Sequence, residues 1–245
     1  MSEATEVVNP QIRTVSIFQD VGFGEDFDQS DIEIPRGKLI TFTSNETKDP
    51  DPSKRIPAGT FINSVSKQII STEFCPILAY KNYVRFNPMK STDRGFDPNF
   101  EPGKLIFSTR DRHDQRVVEG LGWGDNQERP IVTKVFNYLV YIKGENFPLV
   151  ISFKSTSYKG ARRLNTLLLS AGGKMYTNKY NLKFNMETKA GNSYYVMDVI
   201  AAGKSTPEEI ALCAQFEKQF GNKDVESMAH QEEAIVTAES TETEW

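Results

Sequence analysis

Residues 131–153 read IVTKVFNYLVYIKGENFPLVISF, and no other segment narrows the architecture as far. From Ile131 to Ile142, β-branched and aromatic residues occupy both alternations, the pattern of a strand buried on both faces. Gly144-Glu145-Asn146 supplies turn chemistry, and Phe147 to Phe153 is a second apolar run, so the pair predicts a hairpin. Toward the N-terminus, strand patterns recur at Lys38–Thr43, Gly59–Ser64, Lys67–Thr72 and Ile77–Phe86. Toward the C-terminus they recur at Met175–Phe184 and Ser193–Ala201. In the first of these, Tyr176, Tyr180, Leu182 and Phe184 share one side, while Lys179, Asn181 and Lys183 share the other.

Two helices interrupt the strands. One runs from Thr156 or Ser157 to about Ser170 and stops at Gly172-Gly173. Its Ala161, Leu164, Leu167, Leu168 and Ala171 fall on one face, opposite Lys159, Arg162, Arg163, Thr166 and Ser170. The other opens on Thr206 as N-cap, with Pro207 in the first turn and Glu209 completing a capping box, and ends before Gly221. Ile210, Cys213, Phe216 and Phe220 form its apolar stripe, so Cys213 reads as a core thiol. Many short strands with an inserted and a C-terminal helix predict a mostly β fold, first an OB-like small barrel and second an open α+β sheet. The expected organisation is an acidic N-terminal segment over 1–35, one domain over 36–221 with an irregular insertion at about 87–130, and a disordered acidic tail over 222–245.

Charge is unevenly spread. From Asp224 to Trp245 there are seven carboxylates and no Lys or Arg, so 29 basic residues face only 26 of the 33 acidic ones in the remainder. Such a segment stays solvated and extended, and its terminal Trp245 has no folding role there. Glu239, Glu242, Glu244 and Trp245 therefore form a candidate partner-binding tip. Lys143 to Lys189 is the opposite: nine basic residues against Glu145 and Glu187, with six aromatics interleaved. Cations neutralise phosphates and aromatic faces stack on bases without reading them. Lys154, Lys159, Arg162, Arg163, Lys174, Lys179 and Lys183 become phosphate-binding candidates, with Lys134 and Arg85 beside them and Tyr158, Tyr176 and Tyr180 as stacking candidates. A second basic stretch, holding Arg85, Lys90, Arg94, Lys104, Arg110, Arg112 and Arg116, is diluted by carboxylates.

Catalytic and metal signatures are missing. His113 lies in the solvated run RDRHD and His230 in the acidic tail; no GxSxG, HExxH or GxxxxGK[ST] occurs. Gly120-Leu121-Gly122-Trp123-Gly124 reads as a turn with Trp123 packed. Cys75 and Cys213 are far apart in sequence, which supports neither a disulfide framework nor a zinc site and suits a reducing, cytoplasmic setting. No apolar run is long enough for a spanning helix, and the first residues lack signal-peptide character.

The run Pro148–Ser157, PLVISFKSTS, the Lys/Arg-bearing helix after it, the Tyr176…Tyr180 strand, Tyr194-Tyr195-Val196 and the Thr206-Pro207-Glu208-Glu209 helix resemble single-stranded DNA-binding proteins of tailed bacteriophages. The resemblance extends over about Gly59 to Phe220 as an order of elements. It implies an OB-type core, no enzymatic activity, no cofactor, and replication or recombination work in an infected cell's cytoplasm. Its implied partners are single-stranded DNA and replication or recombination proteins recruited by the tail. Relatives often carry paired cysteines in the middle region; Cys75 has no such neighbour, so no metal-stabilised loop is expected. The competing reading is a phage virion or assembly protein forming homo-oligomers.

Overall fold

The computed structural model describes residues 31–125, 128–189 and 191–229. The chain divides into two units, 1–33 and 34–245, and the second holds all the strands and helices named here. Its elements in order are β1 (Gly37–Leu39), β2 (Phe61–Asn63), β3 (Glu73–Phe86), β4 (Leu105–Thr109), α1 (Gln115–Gly120), β5 (Thr133–Ile142), β6 (Leu149–Lys154), α2 (Tyr158–Ala171), β7 (Asn178–Lys189), β8 (Asn192–Lys204), α3 (Pro207–Phe220) and α4 (Val225–Met228).

The main sheet is antiparallel, in the order β6-β5-β3-β7-β8, with β4 also pairing β3. The β5–β6 hairpin forms as its sequence predicts, with Val140 opposite Leu149 and Phe136 opposite Phe153. β3 is the long central strand. On one edge it pairs with β5 almost throughout. On the other, β7 pairs only Glu73 and Phe74, and β4 only Tyr83 to Phe86. Between those two short ladders, residues 75–82 have no ladder partner on that edge among the described residues.

The sheet is open, with no closed barrel. Among the described residues, the outer edge of β6 meets the chain's own entry segment, where Val150 N–H donates to the Pro35 carbonyl at 2.9 Å, rather than meeting β8. The outer edge of β8 is blunted by side chains: Ser157 Oγ accepts from the Met197 N–H at 3.0 Å, and Asp198 Oδ1 from Val199 N–H at 2.8 Å. The β1–β2 pair packs Phe61 against Phe184, ring centroids 5.5 Å apart, so part of what hydrogen bonds leave open is covered by side chains.

Each face of the sheet has its own cover. On one, Phe136, Tyr138, Ile151, Phe153, Phe74 and Tyr180 pack with Ala161 and Leu164 of α2. Gly160 lets α2 come this close, because a Cβ there would lie 2.3 Å from the Met197 carbonyl oxygen. On the other face, α3 lays down Cys213, Phe216 and Phe220, all fully buried. Its capping box is formed by Thr206 and Glu209 as the sequence predicts. Cys75 of β3 meets Cys213 across this layer, a pairing that sequence separation hid, and both remain free buried thiols. The hydrogen bond to Cys75 and burial push the Cys213 thiol up.

Three further expectations change. Lys67–Thr72 contributes only the isolated bridge Ile62↔Ile69, since Lys67 takes a left-handed φ of 59°. Trp123 is 68% exposed, not packed. The folded body also extends past residue 221, because Val225 and Ala229 are buried. The rest of the expected acidic tail, 230–245 with Glu239, Glu242, Glu244 and Trp245, lies outside the described residues.

Candidate anion-binding groove

At the unpaired stretch of β3 lies a groove of about 410 Å³, lined by Tyr80, Lys81, Arg110, Arg112, Phe136 and Asn165 among others. Strand register builds its floor. Lys81 stands opposite Phe136 and Tyr83 opposite Lys134, which places Lys81, Lys134 and Phe136 on one face. Two ammonium groups then share one ring: Lys81 Nζ sits 5.6 Å from the Phe136 centroid and Lys134 Nζ 5.3 Å. Lys134 also lies 5.8 Å from the Tyr158 ring, and the Tyr158 hydroxyl donates to the Lys134 carbonyl. α2 supplies Tyr158 and Arg162, whereas the segment after β4 supplies Arg110 and Arg112.

These cations repel one another. Partial burial holds the Lys134 ammonium below its usual range, and the charges of Lys81, Arg162 and Arg112 push it further down. Among the described residues, Lys81, Arg112, Lys134 and Arg162 form no ion pair. Unpaired cations held this close attract a polyanion, which relieves the repulsion and releases counterions. Tyr158 keeps part of its ring accessible, while Phe136 and Tyr138 are buried beneath.

Of the site residues expected from sequence, Lys134, Tyr158 and Arg162 cluster beside the groove at Phe136 without lining it, with Lys159 exposed on the same helix. The others go elsewhere. Tyr180 is 2% exposed and packs on Phe74, and Tyr176 is 5% exposed with its hydroxyl on Glu217 at 3.0 Å. Neither ring can stack on a base in this fold. Lys174 pairs with Glu217 at 2.7 Å, Lys179 with Glu73 at 3.0 Å and Arg163 with Asp198 at 2.5 Å. Lys183 lies exposed on β7, on the side of that strand opposite the buried Tyr180 and Leu182. Lys154 reaches over Phe86 at 5.8 Å, and Arg85 donates to the Gly95 carbonyl at 2.9 Å.

Sequence reasoning missed Lys81 and set Arg110 and Arg112 aside because carboxylates surround them in sequence. The signal for Lys81 was present: a lysine inside the otherwise buried run Tyr80–Val84 must point to an accessible spot. His113 is exposed. Among the described residues no group of three or more His, Cys, Asp or Glu could hold a metal ion, and no helix is long and apolar enough to cross a membrane.

The family described as Pam3 phage gp34-like protein matches residues 4–226 of the chain. No curated protein and no solved structure gives a significant match.

Proposed function

Because this chain belongs to the Pam3 phage gp34-like family, a phage-associated family, we propose that it binds single-stranded DNA without sequence preference during phage DNA replication or recombination. The observation that carries this reading is the pair of ammonium groups over Phe136, with Arg112 and Arg162 nearby and no carboxylate paired to any of the four among the described residues. Lys81, Arg112, Lys134 and Arg162 contact successive phosphates, and the half-buried Tyr158 beside them offers a ring for a base. An accessible strand suits the groove better than a duplex, because the groove sits at a break in a sheet edge and is lined by residues 79–81 and 83 of β3.

The role is non-enzymatic and needs no cofactor. The acidic tip, Glu239, Glu242, Glu244 and Trp245, recruits replication or recombination proteins, and the protein works in the cytoplasm of the infected cell. Fluorescence anisotropy with a labelled dT oligomer tests the binding. We expect saturable binding at about 50 mM salt that weakens steeply by about 200 mM, since strand binding carries a slope of roughly −0.7 per phosphate neutralised. Absence of binding at the lower salt, by intact protein and by protein lacking the acidic tail, overturns the reading. A stable homo-oligomer with salt-insensitive association and no dT binding would instead favour a virion or assembly role.

A further inference from the structure

The face of the sheet under α4 carries polar groups where apolar ones are usual. Asn82 of β3, Asn137 of β5 and Ser152 of β6 form a buried chain: Asn137 Nδ2 donates to Asn82 Oδ1 at 2.7 Å, and Ser152 Oγ to Asn137 Oδ1 at 2.7 Å. Arg36, 7% exposed, joins it by donating to Ser152 Oγ at 2.9 Å. Three side chains, Arg36, Asn82 and Tyr80, donate to one carboxylate, Glu226. Glu226 Oε1 accepts from Arg36 Nη2 at 3.1 Å and from Asn82 Nδ2 at 2.9 Å, while Oε2 accepts from the Tyr80 hydroxyl at 3.0 Å.

The donors and the acceptor are mounted differently. Tyr80 and Asn82 are fixed in the central strand, and Arg36 enters beside β6. Glu226 belongs to a four-residue helical turn near the end of the described chain, held by Val225, Ala229 and the Ile34 N–H to Met228 carbonyl bond of 2.7 Å. A groove of about 270 Å³ opens over Arg36 and Asn82, and among the described residues its carboxylates, Asp224 and Glu226, both come from this C-terminal segment. Without that segment the described lining keeps two cations, Arg36 and Arg110, the polar Asn82, Ser108, Thr109, Asn137 and Ser152, and the apolar Val84, Phe86, Leu105 and Val135, with no carboxylate.

The two grooves share one lining residue. Arg110 lines both, lies 5.1 Å from the Tyr80 ring and pairs with Asp224 at 3.8 Å. Tyr80 likewise lines the first groove and holds Glu226 in the second. A phosphate that draws Arg110 into the first groove takes it from Asp224.

We propose that Arg36, Tyr80 and Asn82 form a second anion site, whose ligand is a phosphodiester of the bound strand and whose built-in occupant is Glu226. This rests on the strand-binding reading of the first groove and adds a continuation of the path. As the strand reaches Arg110, its next phosphate displaces Glu226, and residues 224–229 lift from the sheet. Strand binding and release of the acidic tail's root become one event.

The test uses the full chain and a labelled dT oligomer. Glu226→Gln keeps the shape and removes the competing charge. It should tighten dT binding by about threefold or more at low salt and steepen the salt slope by about 0.7, the share of one added phosphate. Asn82→Leu in the Glu226→Gln background should cancel both gains. In the unmodified protein, saturation with dT should speed hydrogen exchange at the Ile34 amide, which needs no variant to fold. Unchanged affinity and slope in Glu226→Gln, or an Ile34 amide equally protected with and without dT, overturns the second site. If Lys81→Ala with Lys134→Ala still weakens binding in that case, the first groove stands alone. If no variant and no unmodified protein binds dT, the groove reading itself has failed and this inference with it.

Discussion

Two clusters of cations sit on the same body with opposite fates. Lys174, Lys179 and Arg163 come from the most basic part of the sequence, yet each meets a carboxylate supplied from a distant element: Glu217 of α3, Glu73 of β3 and Asp198 of β8. Lys81, Arg112 and Arg162 come from three stretches apart from that of Lys134, and the charge of each acts on Lys134. Charge along a chain therefore says little about charge available to a ligand. What matters is which opposite charges the fold brings within about 4 Å, where an exposed pair is worth roughly 0.2–1 kcal/mol and its field is largely cancelled. The tyrosines divide in the same way, with Tyr176 and Tyr180 spent on the core and Tyr158 left at the groove.

The contrast can be broken or sharpened at several points. The largest effect belongs to Tyr180→Ala, which empties a fully buried position and should cost about 3–5 kcal/mol of stability, read from urea melts. The fraction that remains folded should bind dT with an unchanged salt slope; a lost slope would return Tyr180 to the binding surface. Tyr158→Ala should cost about 1–3 kcal/mol of dT affinity, the range for one stacked base. A loss confined to stability would leave Tyr158 as a support for Phe136 alone.

Lys134 offers a smaller, sharper readout. Burial first, then Lys81, Arg162 and Arg112, hold its ammonium below the usual range, so the fold disfavours its charged form. A bound polyanion reverses the balance, and dT saturation should move the Lys134 titration upward in an NMR pH series. A titration unmoved by dT would place the strand elsewhere. The smallest effect lies in the paired cluster. Lys174 holds the Glu217 carboxyl below its ordinary range. A carboxylate depressed in the folded state contributes stability above its unfolded value and loses it as pH falls through the folded one. Glu217→Gln should therefore change stability by at most about 1 kcal/mol at neutral pH, flatten acid unfolding slightly and leave dT binding unaltered.

Much of the fold was legible because local rules govern it. The β5–β6 hairpin, the α3 capping box and the Gly172-Gly173 stop after α2 all follow from residue type and spacing. Barrel closure was not legible, because it depends on whether two edge strands meet, and here residues 35–36 and the Ser157 hydroxyl occupy those edges. From Asn178 on, the alternation separates Tyr180 and Leu182 from Lys179 and Lys183 as expected, whereas Met175–Thr177, with Tyr176, is a 3-10 turn outside the strand; period alone does not say which side faces a second layer. The tyrosine side took the core; on the other side Lys179 found Glu73, while Lys183 stayed exposed. Lys81 and Lys134 became neighbours through antiparallel register across more than fifty residues of chain, a relation invisible to local pattern. Arg110 and Arg112 look neutralised by Asp111 and Asp114 in sequence, yet Asp114 pairs with Arg116 instead.

The most direct test sets the two clusters against each other. Lys81→Ala with Lys134→Ala, and separately Lys174→Ala with Lys179→Ala, are titrated with dT across a series of salt concentrations. The first pair should lose on the order of tenfold in affinity at low salt and flatten the salt slope by about 1.4, two phosphates' worth, while the second pair should match the unmodified protein within about twofold. Equal losses from both pairs, or a slope that only the second pair changes, would contradict the groove at the open edge of β3.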